Sequence, residues 1–93
     1  MLEVRYTDEF KKRFSLLPRT LQKKAVRQID IFKQFPFYPS LNNEKIEPKD
    51  NGLWTIRIDQ KYRILYKYDK TNMVVLLTCG SHDWLYDISR FYK

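Results

Sequence analysis

The side chains best equipped for chemistry in this chain are one imidazole, one phenol four positions beyond it, and a set of guanidinium groups. His82 is the single histidine. An imidazole in water titrates at about pH 6.5, so this is the side chain type able both to take and to give a proton near neutrality. Tyr86 follows one helical turn later, and on a helix the two rings reach the same spot. Structural roles compete for both: a histidine at a helix start also serves as a hydrogen-bonding cap, and a tyrosine as core packing. The single cysteine, Cys79, excludes an internal disulfide and a thiolate-only metal cage, and one histidine leaves little for zinc. Cys79 reads as a small buried hydrophobe at a strand end, and no metal or other cofactor is expected.

The guanidinium groups come together through strand parity. Trp54, Ile56 and Ile58 share one face of a strand, leaving Thr55 and Arg57 on the other; Tyr62, Ile64 and Tyr66 share one face of the next, leaving Arg63 and Leu65 opposite. If both apolar sets face one core and residues 59–61 form the loop, Ile58 meets Tyr62, Ile56 meets Ile64, Trp54 meets Tyr66, and Arg57 lies across from Arg63. Like charges directly opposed are mildly destabilising, and an anion resolves the conflict, because two planar forks suit a phosphate and the charge that develops on it. The alternative is a pair of solvated sheet-surface arginines, balanced by carboxylates such as Asp59 or Asp83.

These residues need a scaffold, and a chain of 93 residues can close one hydrophobic core, so residues 1–93 form a single domain. With 43% hydrophobic and 16% aromatic residues and only 2 glycines, the composition is that of a compact globular domain. Residues 2–6 alternate as a half-buried strand. Thr7 offers a cap for a helix carrying Phe10, Phe14 and Leu17, which Pro18 stops. A second helix over 19–34 places Leu21, Ala25, Ile29 and Phe32 on one stripe, completing a helical hairpin. Residues 45–47 read as a short strand before a turn at Asp50-Asn51-Gly52, and a meander follows over 53–58, 62–68 and 73–79. The nearly continuous apolar run at 73–77 reads as a strand covered on both faces. Residues 81–92 read as a last helix with Ser81 as cap and Leu85 and Ile88 as inward anchors. The expected fold is α+β: an N-terminal strand, then a helical hairpin packed on an antiparallel sheet of about four strands, then a short C-terminal helix.

The formal net charge of +7 suits a nucleic acid, an anionic membrane surface or an acidic protein. The start of the chain lacks the apolar stretch of a signal peptide, and no run approaches the roughly 18–20 apolar residues of a membrane span, so a cytoplasmic protein without a membrane partner is expected.

Three segments, Leu53-Trp54-Thr55-Ile56-Arg57, Tyr62-Arg63-Ile64-Leu65-Tyr66 and Gly80-Ser81-His82-Asp83-Trp84-Leu85-Tyr86, taken with this order of elements, resemble the RelE/ParE superfamily of toxins from toxin–antitoxin systems. The Gly80-Ser81-His82 ending, with an aromatic four residues beyond the histidine, is similar to the ribonuclease branch typified by YafQ, which implies a metal-independent endoribonuclease that cuts messenger RNA on the ribosome. It implies a cognate acidic antitoxin and a toxin–antitoxin hetero-oligomer as well. Arg63 matches the phosphate-binding arginine of the RelE type, whereas Arg57 and Lys61 stand about where YafQ-like enzymes carry an extra histidine and aspartate. His82-Asp83 with Tyr86 and Arg90 also resembles a variant of the superfamily found beside helicase-like proteins. On this resemblance Arg57, Arg63, His82 and Tyr86 are the candidate catalytic residues, and Lys61 adds positive potential. Lys11, Lys12, Arg13, Lys23, Lys24 and Arg27 on the helical hairpin are either a solvated face or a contact for ribosomal RNA. The ParE branch poisons DNA gyrase instead, and a nontoxic binding module could keep the same fold.

Overall fold

The computed structural model describes residues 1–47 and 51–89. Its elements run β1 (Glu3–Tyr6), α1 (Asp8–Ser15), α2 (Arg19–Gln34), β2 (Glu44–Lys45), β3 (Leu53–Arg57), β4 (Tyr62–Lys70), β5 (Met73–Ser81) and α3 (His82–Ile88), with a 3-10 turn at Pro39–Leu41. The class is α+β, as expected. The sheet is larger than expected and mixed: five strands in the order β1-β5-β4-β3-β2, with β1 parallel to β5 and the other pairs antiparallel. The helical hairpin carries the chain away after β1, so the terminal strand returns to lie beside β5 at a separation that local pattern does not reveal. Asp50 of the expected turn and residues 90–92 of the expected last helix lie outside the described residues.

Local chemistry explains the boundaries. The Thr7 hydroxyl caps α1 by accepting from the Phe10 amide at 2.9 Å and donates to the Leu77 carbonyl at 2.8 Å, so one side chain starts the helix and ties it to β5. Pro18 precedes α2, where its missing N–H costs nothing. The Asn51 side chain accepts from the Leu53 amide at 2.9 Å, and Gly52 takes a φ of 74°, a left-handed conformation suited to glycine, to enter β3.

Each sheet face has its own core. On the helical-hairpin side Phe10, Ala25, Ile29 and Phe32 pack with Ile56, Ile64, Tyr66, Val74 and Leu76. On the other side the roughly two turns of α3 bring Leu85 onto Ile46, Leu53, Leu65 and Leu77, with Trp84 and Tyr86 at the margin. Leu85 is the inward anchor; Ile88 is only half-buried. A bulge in β5 reconciles the two faces: Leu65 pairs with Thr78 and Tyr66 with Leu76, so Leu77 is the extra residue and Cys79 returns to the hairpin side.

Candidate functional site

The register of β3 and β4 sets Ile56 against Ile64 and Trp54 against Tyr66 on the hairpin side, and Arg57 against Arg63 on the opposite face, which α3 covers in part. Asp59 shapes the loop between them by accepting from the Lys61 and Tyr62 amides, both at 2.8 Å. That carboxylate is therefore committed to the turn, and Asp83 lies against His82 at 3.4 Å, so neither balances the arginines. Among the described residues no ion pair forms at Arg57 or Arg63.

The two arginines are not equivalent. Arg63 is buried, 5% exposed, with Nε donating to the Thr55 hydroxyl at 2.9 Å and a terminal nitrogen donating to the Thr55 carbonyl at 3.3 Å and to the Asn42 carbonyl. Asn42 sits in the left-handed region at φ 43°, a backbone turn that places its carbonyl beside the sheet. Burial lowers the Arg63 pKa, helped by the Arg57 charge and opposed by Tyr86 and Glu44. A guanidinium remains cationic under such pressure, and the charge is presented in a dry setting where it acts strongly. Arg57 is half-exposed and opens on a separate groove of about 300 Å³ that it lines with Lys24, Arg27 and Gln60. The Gln28 side chain holds this strand end to α2, donating to the Arg57 carbonyl at 2.8 Å and to the Ser40 carbonyl at 3.0 Å.

A hydrogen-bonded chain runs from Arg63 to the surface. The Thr55 hydroxyl that accepts from Arg63 lies 3.1 Å from the Tyr86 hydroxyl, and Tyr86 donates to Glu44 Oε2 at 2.8 Å. Burial raises the Tyr86 pKa above the ordinary phenol range, so the ring stays a neutral donor. His82 lies over Tyr86 with ring centroids 4.4 Å apart. The start of α3 is fixed by the Ser81 hydroxyl, which accepts from the Trp84 amide at 3.3 Å, and by the His82 amide, which donates to the Lys61 carbonyl at 2.7 Å. Lys61 thus anchors the helix through its backbone, while its side chain lines an exposed cleft with His82 and Gln60.

The structure therefore brings Arg63, Tyr86 and His82 into one cluster, adds Thr55 and Glu44 to it, and sets Arg57 at its edge. Glu44 was missed because a strand over 45–47 does not include it; β2 in fact pairs Glu44 with Thr55, and opposed residues share a face. That register, had it been legible, would have pointed to Glu44. The remaining basic residues divide. Lys24 and Arg27 line the groove beside Arg57, Lys11 and Lys23 line clefts elsewhere on the hairpin, and Lys12 is exposed. Arg13 departs from the expected solvated run: its guanidinium lies 4.0 Å from the Trp84 ring centroid and its Nε donates to the Cys79 carbonyl at 3.5 Å, a clasp between α1 and α3. Arg90 lies outside the described residues.

Among solved structures, the chain is similar to a YoeB/ParE toxin from Agrobacterium tumefaciens, at 20% identity and a TM-score of 0.71 over 87% of this chain and 99% of that one. It is similar to the archaeal RelE–RelB complex from Pyrococcus horikoshii OT3, at 20% identity and a TM-score of 0.71 over 86% of this chain and 93% of that one. The E. coli DinJ–YafQ toxin–antitoxin complex aligns at 12% identity with a TM-score of 0.74, over 91% of this chain and 97% of the other. No curated protein matches the sequence. A family model described as phage derived protein Gp49-like (DUF891) matches residues 12–82, from within α1 to the first residue of α3. The chain belongs to this Gp49-like family and has the fold of the RelE/ParE toxin superfamily.

Proposed function

We propose that the protein is the toxin of a toxin–antitoxin pair and cleaves messenger RNA on the ribosome without a metal, held in check by an acidic antitoxin. The observation that carries the reading is the chain Arg63–Thr55–Tyr86–Glu44 with the His82 ring packed at a tilt against Tyr86, which gathers a cation, a carboxylate and an imidazole around one phenol. In the reaction, Glu44 takes the proton of a ribose 2′-hydroxyl, whose oxygen attacks the adjacent phosphorus. The P–O5′ bond breaks, His82 gives a proton to the departing 5′-oxygen, and the products are a 2′,3′-cyclic phosphate and a 5′-hydroxyl. Arg63 stabilises the charge on the phosphoryl oxygens as it builds, and Arg57 with Lys24 and Arg27 holds the neighbouring backbone. Tyr86 keeps Glu44 and His82 in register and offers a face for an unstacked base. The matched structures that contain antitoxins support the same partner class for this chain.

The test is to induce the protein alone and map RNA 5′ ends. New 5′-hydroxyl ends within coding sequences are expected; growth arrest with intact transcripts and gyrase-linearised plasmid would replace this reading with gyrase inhibition.

A further inference from the structure

The loop between β3 and β4 is fastened at both ends. The Asp59 carboxylate accepts from the Lys61 and Tyr62 amides, the Tyr62 carbonyl accepts from the Ile58 and Asp59 amides, and the Lys61 carbonyl accepts from the His82 amide at 2.7 Å. Gln60 stands at the tip, exposed, and among the described residues its side-chain amide has no hydrogen-bond partner. A fixed backbone thus presents a donor and an acceptor together at one place beside His82. Two grooves also meet at Gln60. It borders the cleft of about 540 Å³ that holds Lys61, His82 and Asp83, and the groove of about 300 Å³ that holds Lys24, Arg27 and Arg57.

The proposed reaction determines which part of an RNA lies there. The 2′-hydroxyl that gives its proton to Glu44 belongs to the nucleotide on the 5′ side of the cut, and the oxygen that His82 protonates belongs to the nucleotide on the 3′ side. Glu44 stands on the edge strand β2, whereas His82 opens on the cleft that Gln60 borders. The RNA therefore runs from β2 across Tyr86 and over Gln60, and its 3′ continuation enters the groove of Lys24, Arg27 and Arg57, where cations meet its phosphates.

We propose that Gln60 reads the base immediately 3′ of the cut and favours adenine, an inference that rests on the ribonuclease reading. Its neighbours in the cleft are less suited. Lys61 only donates, Asp83 only accepts and lies against His82, and the Ser81 hydroxyl is engaged with the Trp84 amide. A carboxamide both donates and accepts, the combination that pairs bidentately with N7 and N6–H of adenine. Guanine presents two acceptors on that edge, and a pyrimidine is one ring shorter.

The first probe needs no cleavage: short 2′-O-methyl oligouridines with a single central A, G, C or U, which lack the attacking hydroxyl, titrated into the full chain and followed by NMR. The adenine version should bind tightest and shift the Gln60 side-chain amide, while all four shift Lys24 and Arg27. Gln60→Glu, which can only accept, should cut the adenine preference about tenfold. A nitroxide on the 3′ end should broaden the Lys24 and Arg27 amides, and one on the 5′ end those of Glu44 and Lys45. Equal binding of the four bases, no shift at Gln60, or the reversed broadening pattern overturns the proposal. The second probe maps RNA 5′ ends, where adenine should be enriched immediately 3′ of the cut by wild type and not by Gln60→Glu. Cleavage with the same base preference in both proteins removes the inference and leaves the ribonuclease reading. No cleavage by wild type, with the adenine contact at Gln60 intact, removes the ribonuclease reading and leaves the contact.

Discussion

At the scale of single residues, the structure separates groups that hold the fold from groups poised for chemistry. Tyr86→Phe keeps the ring against His82 but loses the contacts to Thr55 and Glu44. Stability should fall by only about 1 kcal/mol in urea denaturation, while cleavage falls about 10²-fold, because the carboxylate is no longer held. Arg63→Lys is a sharper test than Arg63→Ala, since truncation of a buried, triply bonded guanidinium also unfastens Thr55 and the Asn42 turn. A lysine keeps the charge and loses the planar fork, and cleavage should fall about 10²- to 10³-fold. Cys79 has no such role: burial pushes its thiol up to about 11, and it should resist alkylation until the protein unfolds. Its neutral form is favoured by the fold, so its contribution to stability is complete below about 9, the thiol's ordinary value, and disappears as pH rises through about 11. Tyr66 and Tyr86, also raised by burial, act in the same direction, so the denaturation midpoint should drop on the alkaline side.

At the scale of elements, α3 is the part on which the site depends most, and Gly80 governs where it lies. A Cβ at Gly80 would overlap the Trp84 ring, whose centroid also lies 4.0 Å from the Arg13 guanidinium. Gly80→Ala should therefore cost about 1–3 kcal/mol and move His82 and Tyr86, lowering cleavage while the strand signals in circular dichroism persist. Much of this level was legible in the sequence. Period-two patterning in 53–58 and 62–66 sets the register that opposes Arg57 to Arg63, and the stripe with Pro18 before it and Pro36 after it marks α2. Thr7 and Ser81 were readable as caps because a hydroxyl before a helical stripe has one common use. What was not legible depends on distant partners. The pairing of β1 with β5 joins residues as far apart as Glu3 and Met73, and the Leu77 bulge adds a residue that periodicity alone cannot register. The two-residue β2 is too short to show a period, and with it the sequence hides Glu44; Arg13 looks like its solvated neighbours until Trp84 is placed beside it.

At the scale of the whole molecule, a charge of +7 on a small fold gives a long-range attraction for RNA that is independent of sequence. RNA affinity should fall steeply between low and physiological salt, and Lys24→Ala should make that dependence shallower, by a slope of about 0.7 for one lost contact to single-stranded RNA, without altering the cleavage position. On the proposed reading, charge supplies encounter, and the Glu44–Tyr86–Thr55–Arg63 chain and His82 supply reaction. Among the described residues no helix is long and apolar enough to cross a membrane. The most direct test of the account is single-turnover cleavage of ribosome-bound messenger RNA by the purified protein in excess EDTA, comparing wild type with Glu44→Gln and His82→Ala. The account predicts 2′,3′-cyclic phosphate and 5′-hydroxyl ends from the wild type and loss of cleavage by about 10²-fold or more in each variant. Products with 3′-hydroxyl and 5′-phosphate ends, or full activity in both variants, would contradict it.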